Sequence, residues 1–187
     1  VYDGDASAED FTISNTENFV PGQEIEIYAG YHSDETLIFR GIVVKHEIKV
    51  YGYKPSLLVV ECRDPAIKLT IGRKNAYFYE STDSEIIEEI VGNAGLSAEV
   101  ESTEASHEEM VQFYATDWDF IVSRAETQGK LVTTWHGMVE VAAPDLRQDP
   151  ALSLTFGGNI LDLEMEMDAR RQYQGVMASA WNAAEQA

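Results

Sequence analysis

Cysteine is almost missing from this 187-residue chain, with Cys62 standing alone. An internal disulfide is therefore impossible, and a metal site built on several thiolates is excluded. Positive charge is scarce as well. Thirteen Lys and Arg face 33 Asp and Glu, a formal net charge of −20 at pH 7. Phosphate backbones and anionic bilayers repel such a chain, which argues against nucleic acid or an acidic membrane as partner. No run reaches the ~18 uninterrupted apolar residues that a membrane-spanning segment needs. The opening VYDGDASAED does not read as a signal peptide. What is present, 44% apolar and 10% aromatic residues, suits a globular chain of one large domain or two small ones.

The charge is unevenly distributed. Residues 1–39 hold nine acids and no base, and residues 40–74 hold eight bases and three acids. Residues 75–129 hold thirteen acids against one base, Arg124. Either the folded surface mixes these blocks, or like subunits meet basic face to acidic face.

The first third reads as β. Glu24-Ile25-Glu26-Ile27-Tyr28 alternates polar and apolar, after a Pro21-Gly22 turn. Phe39–Tyr51 is a long strand with Ile42, Val44, His46, Ile48 and Val50 on one face, and Ser56–Arg63 returns beside it. The period then changes. Thr82-Asp83-Ser84-Glu85 has the spacing of a capping box, followed by Ile86, Ile87, Ile90, Val91 and Ala94 on one helical face, with Gly95 as the stop. A second helix starts at Thr116 or Asp117, carries Trp118, Ile121, Val122 and Ala125 as its apolar stripe, and ends at Gly129. Glu99–Glu109 reads as an acidic connector between the helices. Lys130–Val141 reads as a hairpin turning at His136-Gly137. After a linker between Ala143-Pro144 and Asp149-Pro150, Leu161, Leu163, Met165 and Met167 alternate with Asp162, Glu164, Glu166 and Asp168, the pattern of a half-buried strand. Tyr173–Trp181 is expected to add one more.

Motifs that carry chemistry are absent. His107-Glu108-Glu109-Met110-Val111 starts like a zincin helix but has no second histidine at i+4, so one helical face cannot clasp a metal. There is no phosphate-binding glycine loop and no Gly-x-Ser-x-Gly elbow. Asp117 and Asp119 flank Trp118, but a helix first turn favours acids through its dipole. Asp3-Gly4-Asp5 lacks the spaced oxygen ligands of a calcium loop. Cys62 shares a strand face with Leu58 and Val60 and is expected to be a small buried hydrophobe.

The run Gln112-Phe113-Tyr114-Ala115-Thr116-Asp117-Trp118-Asp119-Phe120-Ile121-Val122-Ser123-Arg124-Ala125-Glu126, closing at Gly129, resembles a signature of VgrG-type spike proteins and phage tail baseplate hub proteins of contractile injection systems. Gln112, Asp117, Trp118, Asp119, Phe120, Arg124 and Gly129 carry it. Asp3-Gly4, Phe19-Val20-Pro21-Gly22 with Ile25, Ile27 and Gly30-Tyr31, Phe39-Arg40-Gly41-Ile42-Val43, and Val176 to Trp181 resemble other family segments in the same order.

The resemblance implies a mainly β fold with a small α/β insert. Two related hub-type β-barrel domains are expected, both truncated: 1–72 as the first, lacking its earliest strands, 73–146 as the insert with two helices, and 147–187 as the start of the second. It implies a homotrimeric collar that adapts a tail tube to a spike, with the tube protein and spike or effector domains as partners. No catalysis, cofactor or metal is expected, and the seven motif residues are structural. Synthesis in the bacterial cytoplasm and assembly into a secretion or phage-tail-like particle, with export as an option, complete the expectation. Two rivals stand beside it. One is a cell-wall hydrolase, which needs two carboxylates of separated pKa in a cleft. The other is a carbohydrate-binding module using Tyr31, Tyr53, Tyr77 and Tyr79 as a stacking platform.

Overall fold

A computed structural model describes residues 1–32, 34–170, 173–175 and 177. It divides into two compact units, Val1–Asp145 and Leu146–Ala187.

The first unit opens with an antiparallel meander of β1 (Glu24–Tyr31), β2 (Asp34–Lys49) and β3 (Leu57–Arg63), in that spatial order. The register of β1 on β2 slips between Ile27 and Tyr28, and that of β2 on β3 slips between Val43 and Lys45. The second bulge alters the expected face of β2. Gly41, Ile42 and Val43 are all buried, while Val44 is exposed, so alternation does not run unbroken from Ile42 to Val50. An extra residue in one strand reverses the side-chain parity beyond it.

Before the meander, the first residues fold back on β3. Leu58 N donates to Val1 O at 2.8 Å and Asp3 N to Ser56 O at 3.2 Å. The Asp3 carboxylate accepts from the amides of Gly4, Ile13 and Ser14 at 2.9, 3.1 and 2.7 Å, and from the Ser14 hydroxyl. Burial pushes its pKa up, but the hydroxyl and the three amides outweigh that and hold it at about 2.

Beyond β3 a 3₁₀ turn, Pro65–Thr70, leads into β4 (Lys74–Thr82), α1 (Asp83–Asn93), β5 (Ser97–Val100), β6 (Ser106–Ala115), α2 (Asp117–Thr127), β7 (Leu131–Trp135) and β8 (Met138–Ala142). β4 pairs antiparallel with β6, while β5, β8 and β7 form a mixed sheet in that order. The expected acidic connector, Glu99–Glu109, therefore takes in the end of β5 and the start of β6. The consecutive Glu108 and Glu109, on opposite faces of β6, break its alternation in the sequence.

Both helices have matched ends. Thr82 caps α1 by accepting from Glu85 N, and Glu85 reaches back to Thr82 N at 2.8 Å. Each helix closes on a glycine with positive φ, Gly95 at +72° and Gly129 at +66°. The bonds Leu96 N to Val91 O and Lys130 N to Ala125 O complete the two C-terminal motifs.

One core joins these pieces. Ala66 and Leu69 from the 3₁₀ turn meet Phe78, Ile86, Ile87, Ile90 and Val91, then Phe120, Ile121, Ala125, Val139 and Val141. Phe78 and Phe120 stack with centroids 6.1 Å apart. Asp64 locks the junction. Its Oδ1 accepts from Ala66 N at 2.9 Å, and its Oδ2 accepts from Gly137 N at 3.1 Å in the β7–β8 turn. His136 and Gly137 both have positive φ there, as a two-residue hairpin of this hand requires.

The fold is mainly β with a small α/β insert, as expected, but two details differ. No closed barrel occurs among the described residues: three meander strands form an open sheet, and closure needs more strands at a fixed tilt. In the second unit, the expected strand over Leu161–Asp168 is unpaired, with Leu161 and Met167 102% and 90% exposed. Alternation alone does not make a strand where no neighbouring strand offers ladder bonds. Most of the expected Tyr173–Trp181 strand lies outside the described residues.

Candidate functional site

Three of the polar groups that the insert buries, Asp83, Gln112 and Asp117, gather around α2 in two clasps. The first centres on Asp83, fully buried at the start of α1. Arg124 of α2 grips it with two bonds, Nε to Oδ1 at 2.6 Å and a terminal guanidinium nitrogen to Oδ2 at 3.0 Å. Gln128 donates to Oδ2 at 2.8 Å, and His107 Nε2 of β6 lies 3.2 Å from Oδ1. Burial raises the Asp83 pKa, but Arg124, Gln128 and His107 outweigh burial and hold the carboxyl below its ordinary range.

The second clasp ties β6 to the other end of the same helix. Gln112, 1% exposed, donates through Nε2 to Asp117 Oδ1 at 3.0 Å and to Ala115 O at 3.1 Å. Lys74 of β4 reaches Asp117 Oδ2 at 2.5 Å. Thr116 Oγ1 accepts from Asp119 N and caps α2, while the Asp119 side chain stays exposed.

The seven motif residues thus fall around one helix. Gln112 and Asp117 bond each other, Arg124 bonds Asp83, Phe120 enters the core, and Gly129 turns the chain out of α2. Trp118 and Val122 are only half-buried, so the buried stripe centres on Phe120, Ile121 and Ala125 rather than on Trp118. Trp118 instead walls a cleft of about 170 Å³ with Arg63, Asp64, Ala66, Ile67, Thr70 and Thr134.

The sequence did not single out Asp83, His107, Asp64 or Lys130 as tertiary anchors. Lys130 is 9% exposed and donates to the carbonyls of Glu101 and Ser102 at 2.7 and 3.2 Å. Ser84 and Thr103 exchange bonds from each amide to the other's hydroxyl, fixing the β5–β6 loop on α1. His107 lies on a strand, not a zincin helix. Asp83 was legible only as the first residue after a cap, where a solvent-facing acid is the ordinary outcome.

A cavity of about 480 Å³ lies between the first loop and the β2–β3 turn. Its acids serve the loop: Asp5 accepts from Ser7, and Asp10 from Phe11 N and Asn15. Among the described residues, no three His, Cys, Asp or Glu are placed to hold a metal ion. Cys62 is half-buried, and burial pushes its thiol pKa up, away from a reactive thiolate. Tyr31, Tyr53, Tyr77 and Tyr79 are all exposed but lie on three separate elements, and only Tyr77 and Tyr79 share a face. No helix of the described residues is long and apolar enough to cross a membrane.

This arrangement of meander, insert and mixed sheet is the fold of phage tail proteins. The 43 kDa tail protein of prophage MuSo2 from Shewanella oneidensis matches with a TM-score of 0.57 at 15% identity, over 68% of this chain and 39% of its own. A tail protein from Neisseria meningitidis matches at 0.58 and 13% identity, over 84% of this chain and 55% of its own. An E. coli type VI secretion component, described as structurally similar to the T4 bacteriophage tail proteins gp27 and gp5, matches at 0.53 and 15% identity, over 67% and 37%. The chain thus spans roughly two fifths to just over half of those chains. By sequence, the chain belongs to the family described as the Alg8 N-terminal domain, whose model matches residues 1–187. No curated protein matches it.

Proposed function

We propose that this chain is a structural part of a contractile tail or type VI apparatus. In this reading it is a VgrG-like baseplate hub subunit that forms a homotrimeric collar between tail tube and spike, without catalysis. The observation that carries the reading is the fold shared with three tail-apparatus proteins. The use of the buried polar groups supports it: Arg124 bonds Asp83 and Gln112 bonds Asp117 across elements, and the cleft that Lys74, Gln112 and Asp117 border is only about 90 Å³. Rigid side-chain clasps of this kind fix the relative placement of strands and helices in a scaffold.

The divisions 1–72, 73–146 and 147–187 belong to the same reading, as do the tube protein and spike or effector domains as partners. The seven motif residues act in it as scaffold. Assembly begins in the bacterial cytoplasm and ends in the particle.

The test is mass together with activity. Sedimentation equilibrium is expected to give three times the 20.9 kDa chain mass. Incubation with peptidoglycan is expected to release no fragments. A monomer at every concentration contradicts the collar, and turnover abolished by changing one carboxylate contradicts the non-catalytic reading.

A further inference from the structure

The first unit carries two apolar surface features of opposite shape. The outer face of the β4–β6 ribbon shows Tyr77, Tyr79, Val111 and Phe113, which are 64%, 60%, 42% and 80% exposed. Tyr77 lies opposite Val111 and Tyr79 opposite Glu109, so Glu109 shares a row with Val111 and Phe113. Glu80 and Tyr114, at φ +50° and +46°, hold this ribbon in left-handed backbone that non-glycine residues seldom adopt. The second feature is a groove of about 390 Å³ walled by Pro21, Val43, Val44, Ile67 and Ile71, with Lys68 at its rim.

Charge singles out Lys68. Most bases of the 40–74 block are paired within the chain: Arg40 with Glu26, Lys45 and Lys49 with Glu47, Arg63 with Glu61, and Lys74 with Asp117. Lys54 lies over Tyr51 and Arg73 over Tyr114. Among the described residues, Lys68 is the base of that block with neither kind of partner, and Glu109 has no ion-pair partner either. An unpaired cation thus borders the apolar groove, and an unpaired anion lies in the apolar ribbon row.

We propose that a second copy of this chain docks its β4–β6 ribbon into the groove, with Phe113 as the knob and Glu109 meeting Lys68. This rests on the ring-forming reading and names the surfaces that meet. Knob and groove are different patches, so the contact is head-to-tail. Each copy keeps one free knob or groove until rotation brings the last copy back to the first. A twofold contact, by contrast, pairs identical patches and stops at two.

Phe113→Ser removes the knob and Ile71→Asp spoils the groove, and both side chains are exposed enough to change without unfolding the chain. Circular dichroism melting checks that. Each variant alone is expected to sediment as a monomer. Mixed in equal amounts, they form heterodimers and nothing larger, because one intact knob still meets one intact groove. Lys68→Glu and Glu109→Lys each weaken assembly by about tenfold, and the double reversal restores it. A wild-type oligomer unmoved by F113S and I71D overturns this docking while leaving the ring reading in place. A mixture without heterodimers overturns the head-to-tail contact. A wild-type chain that never associates overturns both.

Discussion

Arg124 and Asp83 show how much one pair can decide. Removing the guanidinium leaves a carboxylate with no exposed surface held only by Gln128 and His107, and breaking such a pair costs about 3–5 kcal/mol. Arg124 keeps 19% of its side-chain surface in solvent, so Arg124→Met is expected to lose about 3 kcal/mol, the lower end of that range, in urea unfolding. Arg124→Lys recovers only part, since an ammonium cannot make both bonds. Asp83 and Asp3 also set an acid limit. Their folded pKa values lie below the ordinary carboxylate range, so their contribution is complete above it. That contribution is lost as pH falls through the folded values, about 2 for Asp3. Urea midpoints are expected to drop between about pH 4 and 2, and less steeply in Asp3→Asn. Trp118 and Phe120 separate the same way. Phe120→Ala is expected to cost about 3–5 kcal/mol through a core cavity, and Trp118→Ala clearly less, because one face of the indole already borders an open cleft.

At the scale of elements, helix ends were legible and strand pairing was not. Thr82 with Glu85, Thr116, Gly95 and Gly129 are local signals, and the structure uses each where the spacing put it. Gly129→Ala is expected to lose about 1 kcal/mol by thermal melting, because φ +66° strains any residue with a Cβ. Thr82→Ala is expected to lose a similar amount, about 1 kcal/mol, through the missing cap. β4, β5 and β6 escaped notice because their partners lie far along the chain. Lys74 pairs with Ala115 and Ser97 with Met138, contacts that no window of neighbouring residues reveals. The opposite error occurred at Leu161–Asp168, where a clean local pattern has no partner strand among the described residues. The clasps were half legible: Gln112, Asp117 and Arg124 stood in a motif, while Lys74, Asp83 and His107 are distant in sequence and enter only through the fold.

For the whole molecule the net charge of −20 dominates. The basic block does not form one free face, since five of its eight bases pair with carboxylates of the same chain. The four exposed pairs among them add little stability, whereas the uncompensated acids repel one another. Salt is therefore expected to raise the melting temperature as the screening length shrinks from about 30 Å at 10 mM to about 10 Å at 100 mM. A fall would mean that attractive pairs outweigh the repulsion.

The collar itself is tested most directly by electron microscopy of the assembled protein in end-on view. Class averages with threefold symmetry around an open axis are expected. A single globule, or a twofold particle without a central opening, would contradict it.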